Sequence, residues 1–405
     1  MFARFSLQPI AMMELFYEGK KTERAIRAGT PIADLYGFDA SKNTLIFGDN
    51  LPVLRALSEN PDVRGKIDLI YIDPPFSTNT DFTFGKTRVS TISSKKSDAL
   101  AYSDRRTGAD FIEFLRERLI FAKDLLSPRG SIYLHIDYKI GHYVKLIMDE
   151  IFGAENFRND ITRIKCNPKN FSRKAYGNVK DLILFYSKSS DPIWNEPRTE
   201  YSAAERSRLF PKRDADGRAY TTIPLHAPGE TQSGPTGGMF RGMLPPPGRH
   251  WRSAPEELQK LDDAGEIEWS KNGVPRRKIF ADRQQGKKMQ DIWDFKDPQY
   301  PRYPTEKNKD LLEAIIRASS EEGSIVLDFF CGSGTTLDVA QELRRQWIGI
   351  DSSEIAISVA RERLEANASF HFIKSQVNDF VPELVLCEDV LKKEKIPSPR
   401  RVKKK

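Results

Sequence analysis

The sequence predicts an α/β fold in which a mixed, mostly parallel β-sheet is covered by helices on both faces. Short β-branched and apolar runs alternate with helical patterns near both ends of the chain, and this alternation is typical of parallel sheets. Between them, one more strand-like run, DLILFYSK, is followed by roughly a hundred residues rich in Gly, Pro, Arg and aromatic side chains, with weak periodicity. We therefore expect a large α/β domain that carries an insertion with its own surface role.

The first part of the α/β pattern precedes residue 160. One predicted strand ends at Gly48-Asp49-Asn50, where a helix begins, and a second strand, KIDLIYID, ends at Asp73. The run DFIEFLRERLIFAKDLL is predicted to be a helix that ends at Ser127-Pro128-Arg129-Gly130, and it is followed by the strand SIYLHID and the helix HYVKLIMDEIFG. Residues 76–107 are rich in Ser, Thr and Lys, so we predict a long loop there.

The second part begins near residue 301. The run TEKNKDLLEAIIRAS predicts a helix, and SIVLDFFCGSGTTLDVAQELRR predicts a strand, a glycine-rich turn and a helix. A further strand, QWIGID, is followed by the helix SEIAISVARERLEA, which Ser352 or Ser353 is expected to cap. The chain therefore divides into residues 1–160, 161–300, 301–385 and 386–405.

Composition limits the class of protein. Of 405 residues, 39% are hydrophobic and 30% are charged, as in a globular protein. No apolar run approaches the roughly 18 residues of a membrane span, and the N-terminus does not resemble a signal peptide. Three widely spaced cysteines favour a reducing compartment, which we expect to be the cytoplasm, and five histidines without ligand spacing predict no metal site.

The charge balance favours a polyanionic partner. The formal net charge is +7 and the pI is near 9.0. Lys and Arg that neutralise phosphates release condensed counterions, so a basic surface promotes binding to nucleic acid. The C-terminal run LKKEKIPSPRRVKKK is either a solvated end or an additional electrostatic contact to nucleic acid.

Two motifs follow predicted strands. The first is Asp73-Pro74-Pro75-Phe76, which alone is equally compatible with an ordinary turn. The second is LDFFCGSGTT (327–336), in which glycines allow close approach of a ligand and a helix N-terminus offers free N–H groups. It lacks both G-x-G-x-x-G and G-K-[ST], and it suits the amino-acid part of S-adenosylmethionine. Asp351 ends the next strand and is either a ribose ligand or a helix cap.

Together these motifs resemble the catalytic D-P-P-[YF] and the cofactor D-x-F-x-G-x-G-T of the amino-directed DNA methyltransferases. The catalytic motif precedes the insertion and the cofactor motif follows it, as in the permuted β class. The segment YPTEKN (303–308) is similar to an [HY]-P-T-x-K-P element, with Asn308 in place of Pro. Further stretches, including GSIYLHIDYKIGHYVKLIMDEIFG, resemble adenine-N6 methyltransferases, among them the modification enzymes of type II and type III restriction systems.

The resemblance implies a Rossmann-like S-adenosylmethionine-dependent methyltransferase sheet. Residues 1–160 would be its catalytic half, 161–300 a target-recognition region, 301–385 the cofactor half and 386–405 a basic tail. The implied catalytic residues are Asp73, Pro74, Pro75 and Phe76. The implied cofactor residues are Asp49, Thr305, Lys307, Asp328, Phe330, Gly332, Gly334, Thr335 and Asp351. Asp49 as a helix cap and Lys307 as a surface lysine are the structural alternatives.

The implied reaction is methyl transfer to the N6 amine of an adenine flipped out of duplex DNA. Cytosine-N4 methylation is the alternative, although that group more often has Ser where Asp73 stands. A catalytically silent DNA-binding or regulatory subunit is disfavoured by the intact Asp73, Gly332 and Gly334. An NAD-dependent oxidoreductase is disfavoured by the missing third glycine. By resemblance, a homodimer and a cognate restriction endonuclease are further candidate partners.

Overall fold

The chain was analysed as a computed structural model, which describes residues 14–75, 80–85, 88–90, 99–104, 108–168, 172, 174–231, 234–299, 301, 306–366 and 369–377. Two compact units are present. The first lies within Met1–Asn195 and Asp291–Lys405, and the second is Glu196–Gln290. None of the helices in these ranges is long and apolar enough to cross a membrane.

A nine-stranded sheet forms the centre of the first unit. In chain order its strands are β1 Thr44–Phe47, β2 Ile67–Ile72, β3 Leu126–Ile136, β4 Phe157–Ile164, β5 Lys180–Ser187, β6 Ile292–Trp293, β7 Ile325–Asp328, β8 Gln346–Asp351 and β9 His371–Lys374. Their order across the sheet is β6-β4-β5-β3-β2-β7-β8-β1-β9. Strand β5 is antiparallel to both of its neighbours, and the other neighbouring pairs are parallel. The predicted mixed, mostly parallel sheet is therefore confirmed.

Helices accompany the strands in the alternating order that the sequence predicts. In chain order they are α1 Glu23–Gly29, α2 Asn50–Glu59, α3 Gly108–Leu125, α4 Gly141–Phe152, α5 Ala203–Leu209, α6 Pro255–Asp263, α7 Lys309–Ser319, α8 Thr335–Glu342 and α9 Glu354–Glu365. Helix α3 ends at Leu125, and the segment that was expected to terminate it, 127–130, instead lies in β3. Ser353 caps α9, since its side chain accepts a hydrogen bond from the Ala356 N–H at 3.3 Å.

Both faces of the sheet are covered. On one face, alternate strand residues such as Ile70, Leu134 and Leu327 share a buried core with apolar residues of α2, α3 and α4. On the other face, the buried Tyr133 hydroxyl lies 2.8 Å from the hydroxyl of Ser319, the last residue of α7. Because both faces are buried, β2 and β7 read as nearly continuous apolar runs in the sequence.

Smaller sheets complete the first unit. Ala33–Asp34 pairs with Gln376–Val377. Three short antiparallel strands, in the order Arg88–Ser90, Thr80–Gly85 and Ala99–Asp104, lie where we predicted a long loop. That prediction was wrong because it gave weight to the Ser, Thr and Lys content and missed short aromatic and β-branched runs such as TDFTFG, whose composition favours strands.

The second unit has a four-stranded antiparallel sheet, in the order Lys212–Arg213, Ala219–Pro224, Pro275–Phe280 and Ile267–Trp269. Two further strand pairs join His226–Pro228 to Arg249–Trp251 and Arg198–Thr199 to Lys287–Lys288. A small core lies beside this sheet, formed by Leu225, Phe240, Trp251, Leu258 and Ile267. Short 3-10 turns are Ala154–Asn156 in the first unit and Pro235–Gly237 and Ala281–Arg283 in the second.

The second unit is narrower than the insertion expected at 161–300. Strands β4 and β5 on its N-terminal side, and β6 on its C-terminal side, pair within the central sheet and belong to the first unit. The predicted basic tail, residues 386–405, lies outside the described residues.

Candidate active site

Four carboxylates lie at the carboxyl ends of four neighbouring strands. Asp73 follows β2, Asp328 and Asp351 are the last residues of β7 and β8, and Asp49 follows β1. The chain leaves β2 toward β3 on one side of the sheet and leaves β7 toward β8 on the other. The pair β2 and β7 is therefore the topological switch point of the sheet, where ligands of open α/β folds bind.

Asp73 has one paired and one unpaired oxygen. Its side chain is 16% exposed and that of Lys307 is 10% exposed, and Lys307 forms an ion pair with Asp73 Oδ2. Asp73 Oδ1 is buried and accepts no hydrogen bond from any described residue. A buried acceptor without a donor is costly to a folded protein, so such an atom marks a position where a ligand N–H would be favourable.

Two prolines, Pro74 and Pro75, follow Asp73 in the turn. Pro74 is buried and Pro75 is partly exposed. Both have φ fixed by the pyrrolidine ring, which stiffens the turn that carries the Asp73 side chain. Phe76 and Thr305, which were predicted to take part in catalysis and cofactor binding, lie outside the described residues.

A buried histidine that the sequence analysis did not single out lies behind Asp73. His135 on β3 is fully buried; its Nδ1 lies 3.1 Å from the Tyr71 hydroxyl and 3.8 Å from Asp73 Oδ1, and its Nε2 lies 3.4 Å from Asp181 Oδ2. Burial lowers the pKa of His135, and its contacts with Asp181 and Asp73 only partly offset this. His135 is therefore neutral near pH 7.

Asp181 fixes which nitrogen of His135 carries the proton. Although burial opposes its ionisation, the hydrogen bond from His135 and the ion pair with Lys165 (2.6 Å) hold the Asp181 pKa below its usual range. An ionised carboxylate only accepts hydrogen bonds, so Nε2 of His135 is the donor and Nδ1 accepts from Tyr71. His135 consequently offers no proton to Asp73 Oδ1, which stays available as an acceptor.

The glycine-rich turn after β7 has the backbone that its sequence predicts. Gly332 and Gly334 have φ values of 50° and 76°, and α8 begins at Thr335. A side chain at Gly334 would also place its Cβ 3.0 Å from the Cβ of Ala360 on α9. Glycine is therefore favoured at position 334 by conformation, and a Cβ there would also crowd Ala360.

Asp328 and Asp351 hold this turn from two sides. Asp328 Oδ1 accepts from the Phe330 N–H at 3.0 Å, while the Gly332 N–H donates to Asp351 Oδ2 at 2.8 Å. Burial raises the pKa of Asp328 to about 7, against hydrogen bonds from Thr336 and Phe330. Burial also raises the pKa of Asp351, against the backbone N–H groups that bond to it.

Asp351 is not itself the cap of α9, because Ser353 has that position. Its Oδ1 accepts from the Ser353 N–H at 2.8 Å, so each carboxylate oxygen has one backbone donor. A carboxylate can accept about four hydrogen bonds, which leaves acceptor capacity for a ligand's hydroxyl groups.

Asp49 lies at the start of α2 and is 59% exposed. It caps the helix by accepting from the Leu51 N–H at 3.0 Å, and it also pairs with the buried Arg118 at 3.0 Å. Arg118 donates to Asn50 Oδ1 at 2.5 Å, and Asn50 donates to the Phe329 carbonyl at 2.5 Å. The end of β1 is thereby joined to the turn after β7.

A second buried arginine supports the other side of the turn. Arg363 on α9 donates to the Thr335 hydroxyl and forms an ion pair with Glu306, which precedes Lys307. The predicted cofactor residue Thr335 therefore has a structural partner in this arrangement. Arg118 and Arg363 were both missed, although an arginine inside the apolar pattern of a helix is a recognisable signal of a buried polar contact.

Asn308 replaces the Pro of the family element and has a role of its own. It caps α7 by accepting from the N–H groups of Asp310 and Leu311 at 2.8 and 3.2 Å. Its amide also donates to the Lys296 carbonyl at 2.9 Å. This departure from the family pattern therefore supplies the helix cap that follows Lys307.

A family model described as DNA methylase matches residues 67–362, which include Asp73, Lys307, Asp328 and Asp351. The chain belongs to this family. The match spans β2 through α9, so it contains the switch-point strands and the second unit. No three His, Cys, Asp or Glu side chains in the described part of this DNA methylase are grouped so that they could hold a metal ion.

Curated relatives of this DNA methylase are methyltransferases of restriction systems. The type II methyltransferase M.EcaI of Enterobacter cloacae is 40% identical over 369 residues, covering 89% of this chain and 78% of the relative. M2.DpnII of Streptococcus pneumoniae is 42% identical, covering 81% of this chain and 92% of the relative. The StyLTI Mod subunit of Salmonella typhimurium is 27% identical, and this chain covers only 51% of its length.

Solved structures that match this chain include the M1.HpyAVI-SAM complex, at 17% identity and a TM-score of 0.42, covering 79% of this chain and all of that one. Another is the PvuII DNA methyltransferase described as cytosine-N4-specific, at 16% identity and a TM-score of 0.43, covering 83% of this chain and 92% of that one.

Proposed function

We propose that this DNA methylase transfers a methyl group from S-adenosylmethionine to the exocyclic N6 of an adenine flipped out of duplex DNA. The observation that carries the proposal is the unpaired, buried Oδ1 of Asp73 at the switch point of the sheet. An amine N–H of the target base would satisfy this acceptor. The neighbouring glycine-rich turn and Asp351 supply the chemistry that a nucleoside methyl donor needs.

The residues around the turn fit such a donor. Gly332 and Gly334 adopt positive φ values and have no side chains, so the backbone is open where the donor's amino-acid part would lie. The remaining lone pairs of Asp351 would accept the ribose hydroxyls. When bound, S-adenosylmethionine supplies an electrophilic methyl group on a sulfonium. Asp49 and Phe330 would complete the binding surface.

The geometry of the D-P-P turn suits activation of a planar amine. The lone pair of adenine N6 is delocalised into the ring, so the amine is a poor nucleophile until an acceptor bonds its hydrogen atoms. Asp73 Oδ1 would bond one N–H, and the Pro74 carbonyl would bond the other. These acceptors would stabilise positive charge as it develops on the nitrogen during transfer.

Phe76 would complete the base pocket by stacking on the target ring. Flipping a base out of the duplex costs a few kcal/mol. Stacking on an aromatic side chain contributes about 1–3 kcal/mol and so offsets part of this cost. The carboxylate of Asp73 then orients the amine toward the methyl group, so that proximity and alignment lower the remaining barrier.

Lys307 has two candidate roles. The family resemblance implies that it binds the donor's carboxylate, whereas the structure pairs it with Asp73 Oδ2. Both roles are compatible with one position, since an ammonium group has three donors. We propose that Lys307 holds Asp73 in place and binds the donor's carboxylate when the donor is present.

The second unit, Glu196–Gln290, would contact the DNA and select its sequence. A homodimer and a cognate restriction endonuclease are further proposed partners, by analogy with the modification methyltransferases that the chain resembles. We also propose that the protein acts in the reducing cytoplasm, in keeping with Cys166 and Cys331, which are unbonded thiols in the described part of the chain.

Transfer of labelled methyl from S-adenosylmethionine to duplex DNA, followed by nucleoside analysis, tests the proposal. We expect N6-methyladenine from wild-type protein on genomic DNA of diverse sequence. N4-methylcytosine would instead support the second candidate, which the presence of Asp73 rather than Ser disfavours. If neither N6-methyladenine nor N4-methylcytosine forms on such DNA, methyl transfer to an exocyclic amine is refuted.

A further inference from the structure

The arginines of the second unit differ in their partners. Several arginines are neutralised by carboxylates: Arg218 lies 3.0 Å from Asp282, and Arg241 lies 2.8 Å from Asp262 and 3.2 Å from Asp263. Surface ion pairs of this kind reduce the positive potential that an approaching phosphate experiences. A second group has a different environment.

Three arginines gather around His226. Arg249 Nη1 lies 3.2 Å from His226 Nδ1, and Arg252 Nε donates to the Pro224 carbonyl at 3.1 Å. Arg276 donates to the Thr222 hydroxyl and carbonyl, both at 2.9 Å. None of the three arginines forms an ion pair with a carboxylate of the described residues. We call Arg249, Arg252 and Arg276 the arginine cluster.

The cluster brings together two segments that are distant in sequence. The pair of strands His226–Pro228 and Arg249–Trp251 presents Arg249, and Arg252 follows directly. Arg276 lies on the strand Pro275–Phe280, where it is opposite Pro224. Leu225 and Trp251 immediately precede His226 and Arg252 in the sequence and are buried in the small core. This core therefore anchors the backbone that carries the cluster.

The partners of the cluster orient its guanidinium groups without neutralising them. Arg252 donates through Nε to a carbonyl oxygen, and Arg276 donates through Nε to a hydroxyl oxygen. At least one terminal nitrogen of each guanidinium therefore remains available to donate to a ligand. A guanidinium held this way loses less side-chain entropy when it binds phosphate. Burial lowers the pKa of His226, and the charges of Arg249, Arg252 and Arg276 lower it further.

We infer that the arginine cluster is a binding site for the phosphate backbone of duplex DNA. The inference rests on the proposed function, because it takes DNA as the substrate. The charge-assisted hydrogen bonds of arginine to phosphate suit a cluster of three cations, two exposed and one partly exposed, that has no carboxylate partner among the described residues. The cluster would fix the position of the second unit on the duplex, while other residues would read the bases.

The test is the salt dependence of binding to a random-sequence DNA duplex, measured by fluorescence anisotropy with full-length protein. Each phosphate contact contributes about 0.9 to the slope of log Kd against log salt concentration. We expect each of Arg249→Gln, Arg252→Gln and Arg276→Gln to lower the slope by about one. The triple substitution should lower it by about two to three and weaken binding at least tenfold near 0.1 M salt.

Two controls separate this role from a general loss of charge or folding. Arg218→Gln and Arg241→Gln remove the same charge from the same unit but from arginines that are already paired, so the slope should change by less than about 0.3. Replacing all three cluster arginines with Lys should retain most of the slope, because phosphate contacts tolerate a different cation. Thermal unfolding of each variant checks its fold, and the single variants suffice if the triple variant does not fold.

Equal slopes for cluster and control variants would overturn the inference, as would a wild-type protein that does not bind duplex DNA. The outcome is distinct from that of the methyl-transfer assay. If the cluster variants show a reduced slope of log Kd against log salt concentration while wild-type protein yields no methylated base, the DNA site stands and the proposed reaction fails. If methyladenine forms but the slopes are unchanged, the reaction stands and the DNA contacts lie elsewhere.

Discussion

At the scale of the residue, the arrangement of donors around Asp73 explains how a carboxylate can be both fixed and available. Lys307 pairs with Oδ2, and His135 is held by Asp181 in the tautomer that offers no proton to Oδ1. The carboxylate is therefore oriented from one side and open as an acceptor on the other. This is the property that activation of an amine requires, because an acceptor already satisfied by the protein would have to exchange partners during the reaction.

Substitution of Asp73 is expected to separate catalysis from donor binding. Asp73→Ala removes the acceptor and should lower the single-turnover rate of methyl transfer at least 100-fold, the typical loss when one preorganised electrostatic group is removed. The affinity for S-adenosylmethionine, measured by calorimetry, should change less than about threefold, since Asp328 and Asp351 remain. Asp191→Ala, at an exposed carboxylate distant in sequence from the motifs, is the control. Loss of donor binding in Asp73→Ala would contradict this division of roles.

Asp328 should make stability depend on pH. Its pKa in the folded protein is about 7, whereas an ordinary aspartate has a value near 3.8. Between these values the folded state retains a proton that the unfolded chain has released, so this group's contribution to stability falls as pH rises from about 4 to 7. The variant Asp328→Asn avoids that loss. We expect its melting temperature to rise relative to that of wild type between pH 5 and pH 8.

The control for this prediction is Asp39→Asn. Asp39 is partly exposed, and hydrogen bonds from Ser41 lower its pKa, so its replacement should give no relative gain at pH 8. Scanning calorimetry at several pH values without donor would measure both differences. A pH-independent difference for Asp328→Asn would show that Asp328 ionises normally in the folded protein.

At the scale of the element, the glycine-rich turn depends on conformation and on close packing, and these contributions can be measured separately. Gly334 and Gly323 have similar φ values of 76° and 83°, but a Cβ at Gly323 would meet no atom within 4 Å. Gly323→Ala should therefore cost about 1–2 kcal/mol through the backbone alone. Gly334→Ala should cost more, because its Cβ would also crowd Ala360, and should weaken donor binding at least tenfold.

Urea unfolding and calorimetric titration of the donor would compare the two glycine variants. Equal losses of stability, with donor binding intact in both, would mean that the contact between α8 and α9 tolerates a methyl group. The contact would then not be the reason for glycine at position 334.

The elements themselves were largely predictable from sequence. Strands β2, β7 and β8 are short apolar runs that end at Asp73, Asp328 and Asp351, and a parallel sheet brings such ends to one edge. The three strands within 80–104 were not predictable in the same way. The region around them, 76–107, is rich in Ser, Thr and Lys, and this composition outweighed the short strand patterns in the prediction.

In the candidate site, too, local features could be predicted from the sequence and long-range contacts could not. Residues in local motifs, such as Gly332 and Gly334, have the expected backbone, because a turn is determined by adjacent residues. Contacts between distant residues could not be read from spacing. Lys307 lies against Asp73, and Arg363 joins Thr335 to Glu306, only because the sheet and helices bring these segments together.

At the scale of the whole molecule, the two compact units have separate hydrophobic cores and should unfold separately. Trp251 is buried in the core of the second unit, and its indole N–H donates to the Gly238 carbonyl at 2.9 Å. Trp251→Ala should cost about 3–5 kcal/mol. We expect it to lower the transition of the second unit and to weaken DNA binding, while donor binding in the first unit persists.

Leu57→Ala in the core of the first unit is the matched control. It should lower the other calorimetric transition and impair donor binding instead. A single transition that shifts by the same amount in both variants would show that the units unfold as one cooperative body.

The strand order of the central sheet also constrains how the chain can be made. Strand β1 is synthesised about three hundred residues before its neighbours β8 and β9. Strand β2 likewise lacks its neighbour β7, so a ribosome-bound chain that has completed the second unit still exposes both edges of β1 and one edge of β2. Such long-range pairing slows folding and leaves intermediates prone to aggregation. Yield in the cell should therefore depend on temperature and chaperones, and truncation before β8 should abolish the first unit rather than remove only its donor-binding half.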